Sequence, residues 1–245
     1  MAETTPTTLL YHADSYVRQF SARVAAIADT AAALDQTAFF PGGGGQMADR
    51  GVLVWEGRRL PLARLSKRDE VVWHELAPEA GPPPPVGSTV LGELDWDFRY
   101  RMMRTHTALH MLCGIIFRDF GAQVTGGQMY PDRARMDFSM ETFTPAYVRD
   151  IELRVNEAVA ADHPVKVYVL PREQAFEIPD LIRTKINLLP PDITEIRIVE
   201  IVGLDLQADG GTHVQSTREV RGVRVLKTEN KGKINKRMEI VLADD

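Results

Sequence analysis

The chain of 245 residues contains one cysteine, Cys113. A single thiol cannot close an internal disulfide, so no bridge staples this fold. No apolar run approaches the roughly 18 residues of a membrane span. The polar start, Met1 to Thr8, lacks the basic-then-apolar order of a secretion signal. These absences predict a cytoplasmic protein without a membrane partner. Basic residues are also in deficit, with 29 Lys and Arg against 34 Asp and Glu and a net charge of -5. That argues against broad, nonspecific nucleic-acid binding and leaves local clusters for any polyanion. Two such clusters are Arg99, Arg101 and Arg104, and Lys231, Lys233, Lys236 and Arg237. Taken alone, each reads first as solvated surface. No internal repeat is present. What remains is ordinary for a globular chain, with 44% hydrophobic and 26% charged residues, enough for one large domain or two small ones.

Residues 9 to 95 look β-rich. Short apolar runs (Leu9-Leu10-Tyr11, Phe39-Phe40, Val52 to Trp55, Val71 to Trp73) are divided by turn residues such as Glu56-Gly57 and Lys67 to Asp69. That spacing predicts a small barrel or sandwich, with one helix-like patch over Tyr16 to Ala28. The Pro82 to Pro85 run cannot join a central strand. Val90 to Trp96 alternates like a last barrel strand, which places the domain boundary near 96. Beyond it the texture changes. Met103 to Phe120 has helical period, with apolar residues at 108, 109, 112, 115 and 116 and Gly121 as a stop. Ala134 to Met140 reads as a strand. Thr144 and Pro145 open a second helix to about Ala161, and strands follow at Val165 to Leu170, Ile196 to Val202, Val223 to Thr228 and Met238 to Leu242. The fold class is α+β: an N-terminal β-barrel with a glycine-rich motif over 1–96, then an α+β domain over 97–245.

Two stretches carry chemistry. His106-Thr107-Ala108-Leu109-His110 sets two imidazoles one turn apart on a helix face, where both reach one ion. Zinc proteases use this spacing with Glu after the first His. Thr107 stands there instead, so that base is missing. Asp209-Gly210-Gly211-Thr212-His213 offers two further donors on a tight glycine path after an apolar strand. Together they read as one split metal site. A Gly-Gly turn with a capping Asp and an unrelated His is the alternative. His12, His74 and His163 carry no such pattern and read as surface or packing residues. Cys113, on the helix face of Leu109 and Leu112, reads as core. Gly42 to Gln46 is glycine-rich but lacks the Lys-Ser/Thr of a phosphate-binding loop, which speaks against a nucleotide cofactor.

In combination these motifs resemble the editing domain of alanyl-tRNA synthetases, and more closely the freestanding, medium-length alanyl-tRNA editing proteins known as AlaX. HTALH with a later GGTHV is similar to the family's metal motifs. Thr37-Ala38-Phe39-Phe40-Pro41-Gly42-Gly43-Gly44-Gly45-Gln46 followed by Asp49-Arg50-Gly51 is similar to its glycine-rich segment. Arg135 to Ser139, Asn156-Glu157 with Pro164-Val165, Thr217 to Val220 and Lys231-Gly232-Lys233 resemble its later elements. The likeness runs over roughly residues 9 to 242.

The resemblance implies an ATP-independent, metal-dependent hydrolase that cleaves the ester joining serine, or glycine, to alanine tRNA. It implies one Zn²⁺ per chain on His106, His110 and His213, with Asp209 as the fourth ligand or a water in its place. The family has Cys at the position of Asp209, and a carboxylate is a harder donor. Thr37 would sense the substrate side chain, and a hydroxyl-pairing pocket rejects an analogue lacking the hydroxyl far better than size alone does. Gln123 would orient water or substrate, and Gly43, Gly44, Gly45, Gln46, Lys231 and Lys233 would meet the aminoacylated tRNA end. Two other readings stand beside this one: a noncatalytic tRNA- or RNA-binding homologue, and a metal-dependent hydrolase of a small ester or amide.

Overall fold

The computed structural model describes residues 5–186, 189, 191 and 193–243, so Met1 to Thr4 of the polar start lie outside the described residues. By packing, the chain forms two units, residues 1–43 with 47–101, and residues 44–46 with 102–245.

In the first unit, β1 (Thr8–Leu9) leads into a short helix, α1 (Leu10–Ala13). The strands β2 (Gln19–Ala28), β3 (Ala31–Leu34), β4 (Gln36–Thr37), β5 (Gly51–Trp55), β6 (Arg58–Arg68), β7 (Val71–Leu76) and β8 (Thr89–Leu94) follow. Six of them close into a barrel in the order β2-β3-β7-β6-β5-β8. The helix expected over Tyr16 to Ala28 is a strand across most of that span. Phe20, Ala22 and Val24 point into the core while Gln19, Ser21, Arg23 and Ala25 are exposed, a period of two. The alanines favour a helix locally, but barrel closure offers pairing partners on both sides, β3 and β8, and that pairing decides. Leu10-Tyr11 likewise enters α1 rather than a strand. The interior is Phe20, Val24, Leu34, Phe39, Leu53, Leu60, Leu65 and Val90.

Arg99 is completely buried in this unit. Its Nε donates to Asp49 Oδ1 at 2.9 Å and its Nη1 to the Ser15 carbonyl at 2.9 Å. Asp49 Oδ2 also accepts from the Phe40 amide at 2.6 Å, and the Asp49 amide donates back to Phe40 at 2.9 Å. The base of the glycine-rich loop is therefore pinned by a paired buried charge, as a buried carboxylate requires. Arg99 has a structural task and is no part of a free basic cluster.

The long helix α2 (Trp96–Phe120) begins earlier than its apolar period shows, and its residues from Met102 on belong to the second unit. The strand expected over Val90 to Trp96 ends at Leu94, and Trp96 opens the helix. Gly121 ends it, its amide bonded to the Phe117 carbonyl at 2.8 Å. After it come β9 (Val124–Met129), β10 (Ala134–Phe138), α3 (Pro145–Ala160), β11 (Val165–Pro171), α4 (Arg172–Phe176), β12 (Glu195–Ile201), β13 (Asp205–Ala208), β14 (Val223–Gly232) and β15 (Asn235–Leu242). They make two antiparallel sheets, β14-β15-β10-β9 and β11-β12-β13. Helix α3 starts as the sequence predicts, with Thr144 Oγ1 accepting from the Tyr147 amide and Pro145 at its first turn. Among the described residues no helix is long and apolar enough to cross a membrane.

Candidate metal centre

Every residue of α2 from Met102 to Ile116 is buried, so its polar side chains must find partners inside the protein. Arg104 donates to the Glu219 and Val220 carbonyls at 3.0 Å. His106 and His110 meet His213 and Asp209, the residues of the second stretch. One ligand atom from each of the four lies within 4.8 Å of the others. The imidazoles are packed against one another, with centroids 4.2 Å apart for His106 and His213, 4.5 Å for His110 and His213, and 5.0 Å for His106 and His110.

Each ring is approached from behind at Nδ1, leaving Nε2 for the shared centre. His106 Nδ1 lies 3.1 Å from Gln46 Oε1, His213 Nδ1 lies 3.2 Å from Thr107 Oγ1, and His110 Nδ1 lies 3.2 Å from Asp205 Oδ2. The orientation of Gln46 is set independently. Its Oε1 accepts from the Thr212 amide at 3.0 Å while its Nε2 donates to Thr212 Oγ1 at 2.8 Å. Gln46 Oε1 is thus an acceptor, and His106 Nδ1 must carry the proton. Its Nε2 lone pair then faces inward, the tautomer a metal requires. Asp209 Oδ2 accepts from the Gly211 amide at 2.7 Å and lies 3.0 Å from His213 Nε2, while its Oδ1 lies 3.7 Å from His106 Nε2.

The electrostatics suit a cation. Burial pulls the His106 imidazole down to about 4 despite the nearby Asp209 charge. Burial, with His106 and His110 close by, holds His213 well below its usual value. Burial alone would raise Asp209, but the histidines around it, His106 first, keep it well below the usual carboxylate range. His110 moves the other way. Burial lowers it, and the Asp205 contact together with the Asp209 and Asp205 charges raises it overall. Near neutral pH the centre therefore presents neutral His106 and His213 beside an ionised Asp209, the state these three must reach to take a metal, while His110, held up by the neighbouring acids, has to give up its proton as the metal enters. Three imidazoles and one carboxylate match the donor chemistry of a divalent site, and the residues fit the group.

The centre opens on a cavity of about 590 Å³. Gly44, Gly45, Leu109, strand β9, Ile182 to Ile186 and Gln207 to Gly210 are among its walls, with His106 and His110. Strand β9 occupies a stretch to which the sequence assigns no element. It pairs with β10 on one side, and its last residue donates to Gly45, Met129 N to the Gly45 carbonyl at 2.8 Å. Gly45 has φ +88°, and a Cβ there would lie 2.7 Å from the Gly127 carbonyl oxygen. Only glycine fits both the dihedral and the gap.

Of the residues singled out in the sequence, His106, His110, Asp209 and His213 form the cluster, and Gly44 and Gly45 line the cavity. Gln46 is buried behind His106. Gln123 directly precedes the cavity wall; its amide donates to Ser139 Oγ at 3.0 Å and its carbonyl accepts from the Ser139 amide at 2.8 Å. Thr37 lies in the first unit, where its hydroxyl contacts His74 Nε2 at 2.9 Å and accepts from the Phe39 amide at 3.1 Å. Gly43 belongs to that unit as well. Lys231 and Lys233 are exposed on the β14–β15 hairpin, with Lys231 Nζ 3.9 Å from Glu229. Cys113 is buried, and burial pushes its thiol up, as a core residue predicts. Asp205 and the part played by Thr107 are found only in the structure, because neither carries a spacing signal.

Comparison with known proteins accords with this architecture. Residues 6–98 match the family described as tRNA synthetases class II (A), and residues 196–239 match the threonyl and alanyl tRNA synthetase second additional domain. Both matched segments are thus similar to parts of tRNA synthetases. It is 38% identical, over 97% of its length, to a protein of Methanosarcina acetivorans named alanyl-tRNA editing protein AlaX-M, of which it covers 100%. It is 42% identical, over 94% of its length, to the protein of that name from Saccharolobus solfataricus, of which it covers 96%. It also matches the alanine–tRNA ligase of Pyrobaculum neutrophilum at 38% identity over 90% of its own length, spanning 25% of that enzyme. The chain belongs to the AlaX-M family of alanyl-tRNA editing proteins.

Proposed function

We propose that this protein is an aminoacyl-tRNA deacylase acting in trans on mischarged alanine tRNA, releasing serine, and glycine as a second substrate, by hydrolysis of the ester at the tRNA 3′ end. The observation that carries this reading is the convergence of His106, His110, His213 and Asp209 at a cavity, in a chain whose relatives are named for alanyl-tRNA editing. At about 590 Å³ the cavity is far larger than a seryl side chain and falls within the range of small-molecule sites. It has room for the amino acid together with its terminal nucleoside.

In this reading the three histidines and Asp209 hold one Zn²⁺. A divalent metal so held supplies Lewis acidity toward an ester carbonyl or a water. The chain's own residues do the positioning. Gln46 and Thr107 keep His106 and His213 facing inward. Gly44 and Gly45 give the substrate a wall without side chains. Gln123 orients water or substrate beside that wall. Thr37 keeps the selective role that the resemblance implies, and its bonds to His74 and Phe39 leave one acceptor lone pair on the hydroxyl. Gly43, Lys231 and Lys233 are assigned to the tRNA end and its phosphates.

The test is deacylation of Ser-tRNA(Ala) and Ala-tRNA(Ala) by the purified protein, with zinc, with chelator, and as His106→Ala. Loss of the seryl ester well above the buffer rate is expected only with zinc and His106 present, with alanyl ester spared. A seryl ester as long-lived as in buffer, with zinc bound, would sink the proposal.

A further inference from the structure

We propose that Asp205 is a positioning residue for the metal centre, holding His110 from behind so that its Nε2 faces His106, Asp209 and His213. The assignment rests on the metal reading above. Asp205 sits at the start of β13 with its side chain wholly removed from solvent. Its Oδ2 is 3.2 Å from His110 Nδ1, at contact distance but short of the alignment of a full hydrogen bond. The carboxylate is itself fixed. Gln207 Nε2 donates to Oδ2 at 2.6 Å, and Arg183 Nε lies 3.4 Å from Oδ1. The Arg183 guanidinium is in turn stacked over the Phe117 ring at 3.9 Å.

A second observation places the carboxylate where it is. Gly114, one turn beyond His110 on α2, has no side chain to hold β13 away. A Cβ at Gly114 would lie 2.6 Å from the Leu204 carbonyl oxygen and 2.8 Å from Asp205 Cβ. The glycine thus lets strand and helix approach closely enough for Asp205 to reach His110.

The three imidazoles are not equivalent in this arrangement. His106 and His213 are backed by neutral groups, Gln46 and Thr107, whereas His110 alone is backed by a carboxylate. A charged acceptor at Nδ1 makes the opposite nitrogen a stronger donor and fixes the ring. His110 is therefore the ligand whose donor strength this chain sets most directly.

The experiment compares the unaltered protein with Asp205→Asn, Asp205→Ala and Gly114→Ala. Zn²⁺ and Co²⁺ affinities are measured by chelator competition, Co²⁺ visible absorption is recorded, and folding is checked by far-UV circular dichroism. Asp205→Ala is expected to weaken metal binding roughly 10- to 100-fold. Asp205→Asn, which keeps an acceptor but loses the charge, should lose less, and both should shift the Co²⁺ bands. If the Asp205 variants do not fold, Gly114→Ala decides, because it displaces the carboxylate without removing it and should shift the same bands. A folded Asp205→Asn or Gly114→Ala protein with unchanged affinity and spectrum overturns the assignment alone. An unaltered protein that binds neither Co²⁺ nor Zn²⁺ overturns the metal reading and this assignment with it.

Discussion

The two glycines of Asp209-Gly210-Gly211-Thr212-His213 look interchangeable on paper and are not. A Cβ on Gly211 would lie 2.4 Å from His106 Cε1 and 2.8 Å from Gln46 Oε1, whereas one on Gly210 meets nothing within 4 Å. Gly211→Ala must push the imidazole off Gln46. We expect it to lower zinc affinity by at least about tenfold, the usual cost of disturbing a ligand's outer partner, with the fold intact and Gly210→Ala close to unaltered protein. Metal content after chelator dialysis, beside circular dichroism, checks this. Asp209 makes a second prediction. Asp209→Cys replaces a hard oxygen with a soft thiolate and should move the preference from Mn²⁺ toward Zn²⁺ and Cd²⁺ in competition binding. Equal preference in both proteins would mean that residue 209 donates nothing to the metal. The four donors themselves were legible, because HxxxH and DGGTH place ligand types at short spacing. Their partners were not. Gln46, Thr107 and Asp205 all lie far along the chain from the rings they hold; even Thr107, next to His106, serves His213.

Among the elements, α3 and β12 follow from local signals, a Thr-Pro cap and an apolar run. The start of α2 and strand β9 do not. Trp96 to Met102 lacks the apolar period of the later turns. Strand β9, Val124–Met129, contains Gly126 and Gly127 and has little strand propensity of its own. It is a strand because β10 pairs along it and Gly45 accepts its last amide. Gly45→Ala should therefore be much more damaging than Gly44→Ala. Both have positive φ, which costs an ordinary residue roughly 1 kcal/mol, but only Gly45 also collides with the β9 backbone. The expected result is a small loss of thermal stability for Gly44→Ala. For Gly45→Ala we expect a larger one, accompanied by loss of deacylation as the neighbouring Gln46 is displaced. Melting temperature and initial rate together test this, and equal effects would refute it.

At the scale of the whole molecule, acid stability should report on the barrel. His74 is completely buried, and that burial lowers its imidazole to about 4, against the hydrogen bonds to the Ala32 and Val72 backbone that raise it. Its usual value is near 6.5. Between these limits the unfolded chain takes up a proton that the folded barrel refuses. Stability therefore falls as pH drops from about 6.5 to about 4 and levels off below that. The linkage is worth roughly 3 kcal/mol across the window. Urea unfolding of the zinc-loaded protein from pH 4 to 7 should show this slope, and His74→Gln should be flatter by that amount. Parallel curves for the two proteins would rule it out. The sequence by itself determined the fold class, the barrel before the α+β half, and the four side chains able to hold a metal, because those depend on spacing within one element or one loop. Only the tertiary structure decided that residues 19–28 are a strand and that 124–129 pairs as an edge. It alone also decided that Asp205, Gln46 and Thr107 aim the three imidazoles. The reason is that strand pairing, burial and the proton on a ring nitrogen are set by groups brought close in space, and a linear chain carries no record of who those neighbours are.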